Sequence, residues 1–167
     1  MFMLKFSAVM AALGLLTSLG VVKQAGSTTK DADKTTTAES LVGRYTITSG
    51  EKEGSKEPEE RIKGTTVTFT KETVIVADKE KKEIYSASYT LDTTTTPAHI
   101  TMTSRVEGSA GEIARGLIQK DKDDDKVVRL IYALPTGEIP TEFKTKEKQL
   151  MFVMKKEKAT GGSSNGK

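Results

Sequence analysis

The sequence predicts a mainly β domain: an eight-stranded antiparallel barrel with one short helical turn between its first two strands. Three observations lead there. Eight short segments between residues 41 and 157 alternate apolar and polar side chains at period two, the spacing of a strand with one buried face. Most connections between them are short and carry turn residues, and short connections join antiparallel neighbours. The 167 residues include no cysteine, so no disulfide network holds a loop-rich scaffold together. Eight strands in one body must hide their edges, and a sheet closed on itself has none. A two-sheet sandwich is the competing arrangement, but the meander order shows no sign of Greek-key crossings.

The first strand covers 41–49, with Leu41, Tyr45 and Ile47 on one face and Val42, Arg44, Thr46 and Thr48 on the other. Gly43 falls on the inner face, where close approach of another backbone is a reason for a glycine. The longer connection 50–64 contains Pro58 followed by Glu59 and Glu60. Proline suits the first turn of a helix and acidic residues suit its positive end, so a helical turn is expected there. The second strand, 65–70, turns Val67 and Phe69 inward against Thr66, Thr68 and Thr70. The third, 73–78, is apolar on both faces, which leaves its register open. The fourth, 83–91, lines up Tyr85, Ala87, Tyr89 and Leu91. The fifth, 99–105, directs Ile100 and Met102 inward, and the sixth, 112–119, does so with Gly116 and Ile118. The seventh, 127–134, aligns Val128, Leu130, Tyr132 and Leu134; the eighth, 149–156, aligns Leu150, Phe152 and Met154. Threonine, present at 24 positions, supplies many outward residues, since its branched side chain suits the pleat while its hydroxyl stays wet.

The flanks differ from this body. Residues 1–20 combine Lys5 with the start of an uncharged, mostly apolar run over 6–22, and end on the small residues of Ser18-Leu19-Gly20. These are the features of a secretory signal peptide cleaved near Gly20. The run falls just short of the roughly 20 apolar residues that span a bilayer, so membrane attachment is expected only where the segment is retained as an anchor. Export to the periplasm, cell envelope or extracellular space follows. Residues 21–40, rich in Thr, Ser, Ala and Lys without apolar periodicity, predict a flexible linker, and the tail 158–167 has the same character. With the six lysines and three acidic residues of these flanks set aside, the 26 basic and 23 acidic residues reduce to 20 of each within 41–157. A neutral body with Lys and Glu interspersed lacks the concentrated basic face that phosphates require, so nucleic acid is not an expected partner.

Within that layout, Leu41-Val42-Gly43-Arg44-Tyr45 resembles the L-x-G-x-W opening of lipocalin-like domains, with Tyr45 in place of the tryptophan that would plug one barrel end. Residues 91–100, from Leu91-Asp92 through Pro97 to Ile100, resemble the L-D-x-x-x-x-P-x-x-I element of a planctomycete domain family of uncharacterised function. Pro140-Thr141-Glu142-Phe143 is similar to the P-T-E-F element that this family carries before its final strand. The order and spacing fit across nearly all of 41–157. The resemblance implies a small lipocalin-like barrel, often exported, and brings no activity with it.

No catalytic constellation is legible. His99 is the single histidine and is expected to point outward beside Pro97, without a nucleophile motif elsewhere to use it. The run Asp121-Lys122-Asp123-Asp124-Asp125 resembles a calcium loop only superficially. An EF-hand needs glycine at position six and glutamate at twelve, where this chain has Lys126 and Tyr132. An acidic hairpin turn explains the run better. Glu51, Glu53, Glu57, Glu59 and Glu60 are interspersed with lysines and arginine and are expected as a solvated segment. Gly108, Gly111 and Gly116 lack the strand–loop–helix setting of a phosphate cradle. No metal, cofactor or enzymatic activity is expected.

The inward set carries more information. Tyr45, Phe69, Tyr85, Tyr89, Met102, Tyr132 and Phe152 are the candidate ligand-lining residues, with Ile100, Leu130 and Met154 among them. An eight-stranded barrel is either packed solid or holds one small ligand, and both outcomes stay open. The expected function is therefore an exported, non-enzymatic domain that binds a small apolar molecule in the barrel. The alternative is an envelope structural or protein-interaction module with a solid core and an outer apolar patch drawn from Val42, Leu117, Ile131, Met151 and Val153.

Overall fold

The computed structural model describes residues 36–158. The expected signal peptide, residues 21–35 of the expected linker and the tail from 159 onward lie outside them.

Period-two patterning resolves into nine antiparallel strands: β1 (Gly43–Lys52), β2 (Ser55–Lys56), β3 (Thr66–Phe69), β4 (Thr73–Ala77), β5 (Glu83–Asp92), β6 (Ala98–Ser104), β7 (Ile113–Lys120), β8 (Val127–Ala133) and β9 (Gln149–Lys156). Their order is sequential, and β9 returns to pair with β1, closing the sheet. The two-residue β2 only extends a hairpin off β1, so the closed barrel has eight strands: a small lipocalin-like barrel. The helical turn expected in 50–64 is α2 (Glu59–Ile62), with Pro58 at its start and Ile62 buried.

The closing seam pairs Tyr45 with Lys156 and Ile47 with Met154, then shifts register between Ile47 and Ser49 before continuing from Gly50–Phe152 to Lys52–Leu150. Such a bulge bends and twists one strand against its neighbour, which helps the sheet curl into a cylinder. Thr48, within the bulge, donates its hydroxyl to the Val153 carbonyl at 3.0 Å.

Two expectations need correction. Residues 36–40 are not linker, and Leu41 does not begin a strand: Ala38–Leu41 forms a short helix, α1. Thr37 and Ser40 cap it reciprocally, with the Ser40 amide on Thr37 Oγ1 at 3.2 Å and the Thr37 amide on Ser40 Oγ at 3.0 Å. Leu41 is completely buried, and buried Thr36 accepts from the Lys120 amide at 3.1 Å, so this end is stitched to β7. The polar composition concealed it because both caps are made by the hydroxyls that otherwise signal a linker.

The second correction concerns the outer patch. Leu117 and Ile131 face away from the lumen and pair with each other across β7 and β8, yet they are 2% and 0% exposed. The connection 134–148 folds back along this side. Its Phe143 ring lies 5.5 Å from the Arg129 guanidinium on the outer face of β8. Gln149, itself buried, holds the connection with both ends of its amide: Nε2 donates to the Glu138 carbonyl at 2.7 Å and Oε1 accepts from the Lys146 amide at 2.8 Å. Thr145 hydrogen-bonds Glu51 and accepts from the Gly54 amide at 2.8 Å, tying the connection to the β1–β2 hairpin.

Gly116 has its reason in the barrel wall. A Cβ there would sit 1.9 Å from the Ile131 carbonyl oxygen and 2.7 Å from the Tyr132 Cα, both backbone atoms that cannot rotate away. Gly116→Ala is therefore expected to cost at least about 1–3 kcal/mol, read as a lower denaturation midpoint at unchanged denaturant slope.

Candidate functional site

Inside the barrel, the two ends are built differently. The end where β1 starts is solid. Tyr45, Phe69 and Tyr89 pack edge to face, with ring centroids 5.8 and 5.7 Å apart along the chain of three, beneath Leu41 of α1. Edge-to-face stacking suits the quadrupoles of aromatic rings. Both phenols in this floor reach a backbone acceptor: Tyr45 donates to the Leu41 carbonyl at 2.8 Å and Tyr89 to the Thr70 carbonyl at 2.7 Å. The Lys156 amine adds a cation 5.6 Å from the Tyr45 ring centre.

Toward the opposite end, a cavity of about 370 Å³ remains. Ile47, Val67, Val74 and Val76 form one wall, Met102 and Leu130 another, and Leu150, Phe152 and Met154 of β9 a third. Aliphatic side chains line this space together with Tyr85, Tyr132 and Phe152, in place of the edge-to-face rings that fill the floor. Ile62 of α2, Ile84 and the charged Lys52, Glu57 and Arg61 surround the mouth. Arg61 and Glu57 pair at 3.3 Å, with Arg61 largely exposed and Glu57 largely covered.

Tyr85 and Tyr132 project into this cavity. Neither hydroxyl has a hydrogen-bond partner among the described residues, whereas both floor tyrosines are satisfied. Tyr132 is half-buried, lines the cavity and leans its ring on Phe152 at 6.5 Å. Burial holds the Tyr132 phenol far above its ordinary titration range, with Tyr85 adding to the effect; Tyr85 is raised by burial and then by Glu112.

Of the seven candidate lining residues, the structure thus brings Tyr85, Met102, Tyr132 and Phe152 together around the cavity and places Tyr45, Phe69 and Tyr89 in the floor. Ile62, Ile84, Lys52 and Arg61 escaped the sequence reading. Pro58-Glu59-Glu60 announced the helix that carries Ile62 and Arg61, but nothing local announced that it lies over the barrel mouth.

Elsewhere the charged motifs are occupied with structure. Asp121 accepts from the amides of Asp123 at 3.0 Å and Asp124 at 3.4 Å, and Asp124 accepts from the Lys126 amide at 3.0 Å. Backbone donors lower both carboxyls and shape the turn between β7 and β8. Lys155 and Arg129 pair with these acids at 3.3 Å each. His99 is exposed on β6, opposite Asp92. No cluster of three or more metal-ligating side chains occurs among the described residues.

The chain matches no family model, no curated protein and no solved structure. The class of protein therefore rests on the fold alone, a small lipocalin-like barrel with one solid end and one hollow end.

The contrast between floor and cavity tyrosines has a measurable consequence. Tyr45→Phe and Tyr89→Phe each strand a backbone acceptor and are expected to cost about 1–3 kcal/mol, while Tyr85→Phe and Tyr132→Phe are expected to stay within about 0.5 kcal/mol in chemical denaturation. The Tyr45 phenol is pushed up from 10.0 to about 12, by burial first and by Tyr89 second. The folded state then keeps a proton that the unfolded chain releases, so Tyr45's contribution is intact below pH 10 and is lost as pH rises through about 12. Unfolding midpoints across that range should fall with pH, and less steeply in Tyr45→Phe.

Proposed function

We propose that this protein is a non-enzymatic binding domain that takes up a small, largely apolar molecule in the open half of its barrel. The observation that carries this reading is a cavity of about 370 Å³ inside the barrel, walled by aliphatic side chains and Phe152 and holding two phenols without partners among the described residues. Its size lies within the range of small-molecule sites, at roughly 300–1,000 Å³. Export, with the domain acting in the periplasm, envelope or outside the cell, belongs to the same proposal and rests on residues 1–20. The kinship with the planctomycete domain family is part of the proposal too, and rests on segments within 41–157.

Each resembling segment has a physical role that supports this kinship. Leu41 and Tyr45 are joined by the hydrogen bond that seals the floor. Leu91 and Ile100 face each other across the β5–β6 hairpin. Pro140 is buried, and Phe143 lies against Arg129. The alternative, an envelope interaction module, draws less support. The centre of its expected patch is covered, and the exposed large apolar residues Val42, Ile84, Ile113 and Ile139 sit on separate elements and loops.

A titration with a neutral naphthylamine probe tests the reading. Saturable fluorescence enhancement is expected, weakened about tenfold or more by Val76→Trp, which fills the cavity, and unchanged by Ile113→Trp on the outer surface. Enhancement that does not saturate, or that ignores Val76→Trp, overturns it.

A further inference from the structure

The chemistry of the cavity wall narrows what the occupant is. At neutral pH both cavity phenols keep their protons, so each offers an O–H donor and neither is charged. A pure hydrocarbon filling the cavity would exclude water and leave both donors unmade, which costs each the desolvation of a polar group. A carboxylate set against the two uncharged phenols would give up more hydration than a neutral oxygen, and of the two basic residues bordering the cavity, Lys52 and Arg61, Arg61 already faces Glu57. A carbonyl oxygen avoids both penalties. It carries two lone pairs for two donors, has no proton of its own to place, and brings no charge into an apolar chamber. At the roughly 30 Å³ that a water molecule takes in the liquid, the cavity volume corresponds to about a dozen non-hydrogen atoms.

We propose that the cavity selects a neutral carbonyl compound (a ketone, ester or quinone) of about a dozen non-hydrogen atoms, inserted with its oxygen toward Tyr132 and Tyr85 and its hydrocarbon part against Met102, Leu130 and Phe152. This rests on the cavity being a binding site and adds the class of molecule and its orientation. Tyr132, whose strand neighbour Leu150 also lines the cavity, is the principal donor. Tyr85, beside it, is the second.

Three competitors of matched non-hydrogen atom count separate the alternatives: 2-acetonaphthone, 2-isopropylnaphthalene and 2-naphthoate, each displacing the naphthylamine probe from the full chain near neutral pH. The ketone is expected to compete about three- to tenfold better than the hydrocarbon, the worth of a hydrogen bond, and better still than the carboxylate. Tyr132→Phe is expected to bring ketone and hydrocarbon together while leaving the hydrocarbon's own affinity unchanged or improved. A variant that failed to fold would lose the hydrocarbon too, and Tyr85→Phe then carries the same comparison. Equal competition by ketone and hydrocarbon in the unaltered chain overturns the inference with cavity binding intact, as does a ketone preference that survives both substitutions. Naphthoate as the best competitor overturns it in favour of charge recognition at Lys52 and Arg61. A probe that never saturates overturns the inference and the binding reading together.

Discussion

Pairing of β1 with β9 is the constraint on which the remaining structure depends. Until that ladder forms, the sheet has two raw edges, and its apolar face encloses nothing. Once Tyr45–Lys156 through Lys52–Leu150 are joined, one face becomes a lumen and the other a surface, and each side chain's environment follows from its parity along the strand. The bulge between Ile47 and Ser49 is part of that closure. Gly43, at the start of β1, takes a φ of 144° that side chains other than glycine's rarely adopt.

Closure fixes an inside but does not decide how it is filled. That falls to the size and polarity of the residues at each level. Near α1, three aromatic rings stack, and two backbone carbonyls lie within reach of the phenols, so bulk and hydrogen bonding are satisfied together. Farther along, valines and methionines leave volume, and the phenols of Tyr85 and Tyr132 find no carbonyl. The hydroxyls of Tyr85 and Tyr132 stay accessible on the wall of a chamber, whereas those of Tyr45 and Tyr89 are tied to the backbone, so the two tyrosine pairs do different things despite their shared residue type.

The outer side shows a similar division. Leu117 and Ile131 obey the same alternation that puts threonine on other outer positions, yet they are apolar and buried, on the side of β8 where Phe143 of the 134–148 connection lies over Arg129. That connection is held by Gln149, Thr145 and Phe143, whose partners on Glu138, Glu51 and Arg129 are as much as 94 residues away in the chain. Pairs of that separation leave no mark on a local pattern. The fifteen-residue stretch therefore offered no cue to its role beyond the Pro140–Phe143 resemblance.

By itself the sequence determined the eight barrel strands, the face that most of them bury, the helical turn after Pro58 and the acidic turn after Asp121, because each is a local matter of period, propensity or side chain-to-backbone bonding. Even there, α1 was hidden, since Thr37 and Ser40 cap a helix with the same hydroxyls that mark a linker. Which interior tyrosines are structural and which face empty space, what covers Leu117 and Ile131, and where α2 sits over the mouth were decided only by the tertiary structure. The reason is the same in each case: these are relations between side chains and backbone brought together by closing the barrel, and period two specifies a direction for a side chain but not what it will meet.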